Sequence, residues 1–408
     1  MRKLAWAMLV LLVFTIPWEG SLDFGEPIGS IARVAGVLLL LLVIPSVLQT
    51  GRARTPGVMQ VLVMAYYLWF CCSIFWSIDS DATLDRMRGS FQVVMIVWLL
   101  WELAETPQDL RMLLRAYVAG AWVLCVLTIA NFSSTAFTLA NTDQARFVAE
   151  GQDPNDVARF LDLALPMAGL LYEGETAWWR KLFVLGYLPV GILSVILTAS
   201  RGGFVGIFPA FVGVAFLLLR HKPARQRIAA ICVPVVAAAF VVVVPLETLQ
   251  RLATLAQQLQ GGDLNRRVNI WIAAWHVLPQ HLFLGAGAGA FVSAAGLSYI
   301  DTAHNTMLSL VIEGGIVALL IAGMIVFISA RNVLRMKGPL RIGFGAALVV
   351  LLVSMLDATV EGNRSTWFLF GLIAFAARLA EEQPVNLTQS FPMPDEVENR
   401  NLLLEAAG

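Results

Sequence analysis

Gly202-Gly-Phe-Val-Gly-Ile-Phe-Pro-Ala-Phe-Val-Gly-Val-Ala-Phe-Leu-Leu-Leu219 runs for eighteen residues without a charge. As a helix rising about 1.5 Å per residue it reaches ~27 Å, close to the roughly 30 Å hydrocarbon core of a bilayer. Arg201 precedes it and Arg220-His221-Lys222 follow it. A buried soluble helix is the competing reading of one such run, and it fails for the set. Similar segments recur near 4–18, 28–48, 58–77, 89–104, 111–132, 157–172, 180–199, 227–245, 304–328, 341–357 and 365–380. The chain therefore reads as all-α, a polytopic membrane bundle of about twelve transmembrane helices. The fourth, sixth and eleventh segments are short or marginal.

Composition agrees. The 408 residues are 58% hydrophobic and 14% charged, with a mean hydropathy of +0.75. Soluble chains are about 45–50% apolar and roughly 25% charged. The formal net charge of zero leaves no basic field for nucleic acid. Cys71, Cys72, Cys125 and Cys232 lie inside apolar runs and lack disulfide or metal spacing. Met1 to Pro17 has the basic start and apolar stretch of a signal peptide but no small-x-small cleavage site, so it reads as an uncleaved first helix.

Basic residues set the orientation. With the N-terminus inside, Lys3, Lys181, Lys222 and Lys337 all fall inside, with Arg52, Arg54 and the Arg220–Arg227 cluster. Two long loops fall outside, about 131–157 and 246–303. The second has leucines at 246, 249, 252, 255 and 259, the spacing of an amphipathic surface helix, and Trp271 and Trp275 four apart. We therefore expect one transmembrane domain over 1–380, a loop subdomain at 246–303 and a disordered cytoplasmic tail at 381–408.

What remains outside is arginine: Arg86, Arg88, Arg146, Arg159, Arg201, Arg251, Arg266, Arg267 and Arg364. This opposes the positive-inside bias. Arginine's planar fork suits phosphate, although each one singly also fits a pair with a nearby aspartate or a headgroup. Arg201 at mid-bilayer would cost at least ~2.5–3.5 kcal/mol, so a helix break at Gly202-Gly203 should bring it to water or an anion. His304 suits proton transfer near neutrality, with His276 and His281 as rivals. Glu313, inside the following span, is either functional or paired with an arginine. Gly285-Ala-Gly-Ala-Gly289 lacks the strand–turn–helix context of a dinucleotide loop and reads as a flexible re-entrant turn. No internal repeat or mid-membrane helix break of the kind transporters use is visible, and no residues have metal-ligand spacing.

Taken together, Thr198-Ala-Ser-Arg-Gly-Gly203, Arg267-Val-Asn-Ile-Trp271, Leu284-Gly-Ala-Gly287 and His304-Asn305 followed by Val311-Ile-Glu-Gly-Gly315 resemble the O-antigen ligase and polymerase superfamily. Asp153-Pro-Asn155 looks like a further element, and the likeness covers roughly 150–330. It implies a GT-C-type glycosyltransferase in the bacterial inner membrane, with both termini cytoplasmic and a periplasmic site. The implied donor is a polysaccharide on undecaprenyl diphosphate, and the implied ligase acceptor is lipid A–core. No metal or cofactor is implied. His304, Arg201 and Arg267 match the family's functional positions, with Arg266 left as an alternative to Arg267. Arg86, Arg88, Arg146, Asn155, Trp271, Asn305 and Glu313 are candidate substrate contacts. A polymerase, a protein O-oligosaccharyltransferase or a lipid or solute transporter are the competing readings.

Overall fold

Apolar segments in a bilayer must satisfy their backbone internally, which leaves helices as the economical solution. The computed structural model describes residues 2–25, 29–50, 53–135, 146–172, 174–219, 266–298 and 302–391. Between 219 and 266 it describes 226, 229, 233, 236–240, 242–255, 257 and 262. Arg52, the basic residues at 220–225 and 227, Cys232, other parts of the ninth expected span and residues 392–408 lie outside the described residues.

The long helices are α1 (Arg2–Thr15), α2 (Ile31–Thr50), α3 (Val58–Cys72), α4 (Ser80–Leu103), α5 (Pro107–Thr135), α6 (Pro154–Tyr172), α7 (Trp178–Leu197) and α8 (Arg201–Leu219). After them come α9 (Leu246–Ala253), α10 (Arg267–His281), α11 (Phe291–Ala295), α12 (Thr306–Arg335), α13 (Gly338–Asp357), α14 (Arg364–Glu382) and α15 (Pro384–Ser390). Eight of the described helices are long and apolar enough to cross a membrane. The expected fourth, sixth and twelfth spans, α4, α6 and α14, are helices that fall outside that set, whereas the eleventh, α13, falls within it.

α6 is the axis of the bundle. Every residue from Val157 to Leu171 is buried, against α5, α7, α8 and α13. Small residues permit the approach: a Cβ on Gly203 would overlap Ala158, one on Gly213 would overlap Ala346, and one on Gly343 would overlap Leu170. In lipid, where apolar burial between helices drives little, such close van der Waals packing holds helices together.

Polar groups gather at opposite ends. At one, Arg2 and Arg54 reach Glu105. At the other, Arg364 pairs with Glu19, and Asp79 caps α4 while accepting from Ser293.

Two expectations need correction. α12 is broken: Gly315 has φ +67° and ψ −170°. The glycine-rich segment fills the break, with Ala286 N donating to Ile312 O (2.7 Å), Gly287 N to Glu313 O (2.9 Å) and Ile316 N to Leu282 O (2.7 Å). Trp69 Nε1 holds Gly314 O at 2.7 Å. The segment is thus buried and bonded rather than a loose turn. Beyond 381, the described residues run to 391. α15 follows α14, Arg111 bonds the Ser390 carbonyl at 2.6 Å, and Phe391 is buried beneath that guanidinium.

Candidate active site

The break between α7 and α8 builds the site. Ala199 turns the chain with φ +49°, and Ser200 caps α8 through Gly203 N at 3.2 Å. Arg201 therefore stands on the first turn of α8, where unpaired backbone N–H groups and the helix dipole favour an anion. Its guanidinium bonds Thr254 Oγ1 (2.8 Å) and the Arg251 carbonyl (3.4 Å), which ties α8 to the end of α9.

Arg146 comes in from the preceding loop. Its Nε bonds the Thr198 carbonyl at 3.1 Å and its Nη2 the Asn155 side chain at 3.2 Å. Asn155 also accepts from Ser200 Oγ at 2.8 Å. Burial, with Arg251, Arg267 and Arg201 nearby and only Asp153 opposing, pulls the Arg146 guanidinium down to about 10. Arg251 is lowered by burial and by Arg201. Like charges held this close favour whatever anion neutralises them.

Arg267 opens α10 and lies 3.6 Å from Asp357 at the end of α13. Asp357 also fills the space where a Gly202 side chain would stand. Arg266 is exposed, in the left-handed region at φ +67°. Geometry thus directs Arg267, and not Arg266, toward α8.

His304 has φ +45°. The segment is held on both sides: Trp271 Nε1 donates to the Ala303 carbonyl at 2.9 Å, and Asn305 Nδ2 donates to the Leu356 carbonyl at 3.2 Å. Asn305 also caps α12 through Leu308 N. Among the described residues, the three non-glycine residues with positive φ are Ala199, Arg266 and His304. Such strained backbone concentrates at functional sites.

Other candidates fall elsewhere. The side chains of Asn155, Trp271 and Asn305 bond to the protein and hold its parts together. Arg88 is exposed and pairs with Asp85. Arg86 bonds Glu361 at 2.9 Å and lies 3.7 Å from Glu313. Glu313 accepts from Gly289 N at 2.9 Å. His276 is exposed on α10 and His281 closes that helix. Among the described residues no group of three histidine, cysteine or acidic side chains could hold a metal.

Sequence reading missed Asp357, Thr254 and Glu361. Asp357 and Glu361 are acids flanking the turn after an apolar run, a signal that was available. Thr254 had none.

Next to Arg201, α8 and α13 line an open apolar groove of about 960 Å³, running from Phe204 and Val353 to Phe216 and Ile342.

The fold and this site define a multi-pass, helical membrane protein with a cluster of arginines at one end of its bundle. Residues 187–323, from α7 through the break in α12, match the family model described as O-antigen ligase. The match implies a glycosyltransferase-like ligase or polymerase that uses lipid-linked polysaccharide. No curated protein sequence matches the chain.

Proposed function

We propose that this protein is an O-antigen ligase of the inner membrane. It transfers polysaccharide from undecaprenyl diphosphate to a sugar hydroxyl of lipid A–core at the periplasmic face. The observation that carries this reading is the convergence of Arg146, Arg201, Arg251 and Arg267 on the N-terminus of α8.

In the proposed step, the acceptor hydroxyl attacks the anomeric carbon. The new C–O bond forms as the bond from that carbon to the diphosphate oxygen breaks. His304 takes the hydroxyl proton, a contribution of roughly 10²–10⁴-fold. The leaving diphosphate gains negative charge, and pre-placed arginines stabilise it without reorganisation. Displacement from the opposite face inverts the anomeric centre. The apolar groove between α8 and α13 continues from the arginines and suits the polyprenyl chain. Termini on the cytoplasmic side follow from the lysines.

The test mixes purified protein with lipid-linked polymer and lipid A–core. A ligated product is expected. Longer lipid-linked chains would favour a polymerase, and no new bond would favour a transporter. A His304→Ala variant that transfers at the wild-type rate would remove the base assignment.

A further inference from the structure

At the end of the bundle opposite the arginine cluster lies a cavity of about 370 Å³. Its size falls within the range of small-ligand sites, about 300–1,000 Å³. It forms where three parts of the chain meet: the turn from α12 into α13, the end of α14, and α15. α15 is fixed there by its last residue, because Arg111 holds the Ser390 carbonyl and lies over the Phe391 ring. The wall that α15 supplies is therefore part of the fold.

The lining divides by chemistry. Pro339, Leu340, Leu387 and Phe391 make a buried apolar floor. Arg335 and Lys337 line the same cavity and are exposed. Among the described residues neither cation is in an ion pair, and no acidic side chain lines the cavity. No side chain caps the start of α13 beside them, so its first N–H groups add to the positive character of the rim.

This combination selects a ligand with an anionic head and an apolar body. Inorganic phosphate would meet the cations and leave the floor to water. An apolar chain alone would cover the floor and leave the cations unanswered. A phospholipid of net negative charge satisfies both. The cytoplasmic leaflet is the one that presents anionic headgroups, and basic pockets between helices on that side bind them.

We propose that this cavity holds one anionic phospholipid of the cytoplasmic leaflet. Arg335 and Lys337 bind its phosphate, and its glycerol and first acyl carbons lie on the apolar floor. The site does not depend on the reaction proposed above; only the choice of leaflet follows from the proposed orientation.

Native mass spectrometry of the purified full-length protein, titrated with phosphatidylglycerol, phosphatidylcholine or inorganic phosphate, tests it. The first phosphatidylglycerol should bind more tightly than either of the others. Arg335→Gln together with Lys337→Gln should weaken it by about fivefold per cation, roughly 25-fold in all. Arg331→Gln together with Arg341→Gln removes the same charge from exposed positions outside the cavity and should leave binding nearly unchanged. Thr388→Trp fills the cavity without altering its charge and should displace the lipid. Unfolding temperature in lipid-free detergent should stay at the wild-type value in all three variants. Equal binding of phosphatidylcholine, phosphate bound as tightly as the lipid, or full binding by Thr388→Trp would overturn the proposal. Equal losses from the two charge pairs would also overturn it, by assigning the affinity to diffuse surface charge. So would a lowered unfolding temperature in the Arg335 and Lys337 variant, which would assign those cations to a contact within the chain.

Discussion

Arg267 Nη1 stands 3.6 Å from Asp357 Oδ2, with both side chains largely buried. The separation exceeds that of a direct hydrogen bond. Asp357 therefore orients the guanidinium electrostatically and leaves its donors available to an anion. The pair also joins the first turn of α10 to the last of α13, through two residues 90 positions apart in the chain.

Arg267→Ala should lower kcat by about 10²–10³-fold, the scale of losing one pre-placed donor to a developing anion. Arg267→Lys should recover only part, since an ammonium supplies a point charge and no fork. Single-turnover transfer with saturating donor measures both. Near-wild-type rates for the alanine variant would exclude a role at the leaving group.

Gly202→Ala should cost activity out of proportion to stability. The new Cβ would overlap the Asp357 carboxylate, and relief requires that carboxylate to leave Arg267. We expect a small drop in unfolding temperature and at least a tenfold loss of transfer. A folded variant with full activity would show that the Asp357 position is immaterial.

Trp271→Phe keeps the ring and removes the N–H that holds the Ala303 carbonyl. Losing one such bond costs about 0.5–1.5 kcal/mol of stability. Misplacing His304 should cost more in rate, about 10–100-fold, with donor affinity unchanged. A fall in donor affinity alone would contradict this positioning role.

Donor affinity should depend on alkaline pH through Arg146, held down to about 10 by burial and neighbouring arginines. The folded guanidinium sheds its proton before the unfolded one does. Between about 10 and its ordinary value near 12.5 the unfolded chain holds more protons, and stability gains with rising pH as the buried cation is relieved. Anion binding moves the opposite way, because it needs the charge. Affinity for a polyprenyl diphosphate should hold from pH 7 to about 9 and weaken as pH approaches 10. Arg146→Gln should abolish that slope, and an unchanged slope would assign it to another group.

Gly315→Ala should destabilise the bundle by at least about 1–3 kcal/mol, since φ is +67° and a Cβ would overlap the Phe283 carbonyl. The unfolding temperature in detergent reads this directly. An unchanged value would mean that α12 can close its break.

Much was legible because the bilayer imposes a local rule. Each span must satisfy its own backbone, so a run such as Gly202–Leu219 declares a helix without reference to its neighbours. Arg201 stood out for the same reason, as a charge between apolar runs, whereas Arg267 and His304 stood out through the motifs they share with the resembled family. The break at Gly315 did not, because the carbonyls it frees are satisfied by Leu282–Gly287, a segment remote in sequence.

By itself the sequence determined the helices, their apolar lengths and the arginines that interrupt or flank apolar runs, since local hydropathy and charge decide all three. Tertiary structure alone decided which arginines meet. It separated Arg267 from Arg266 through Asp357, placed Arg86 against Glu313 and Glu361, and turned Asn155, Trp271 and Asn305 into supports. Those outcomes depend on close contacts such as Gly203 on Ala158 and Gly213 on Ala346, which set where helix ends stand, and no periodicity along one chain encodes a distance between two helices.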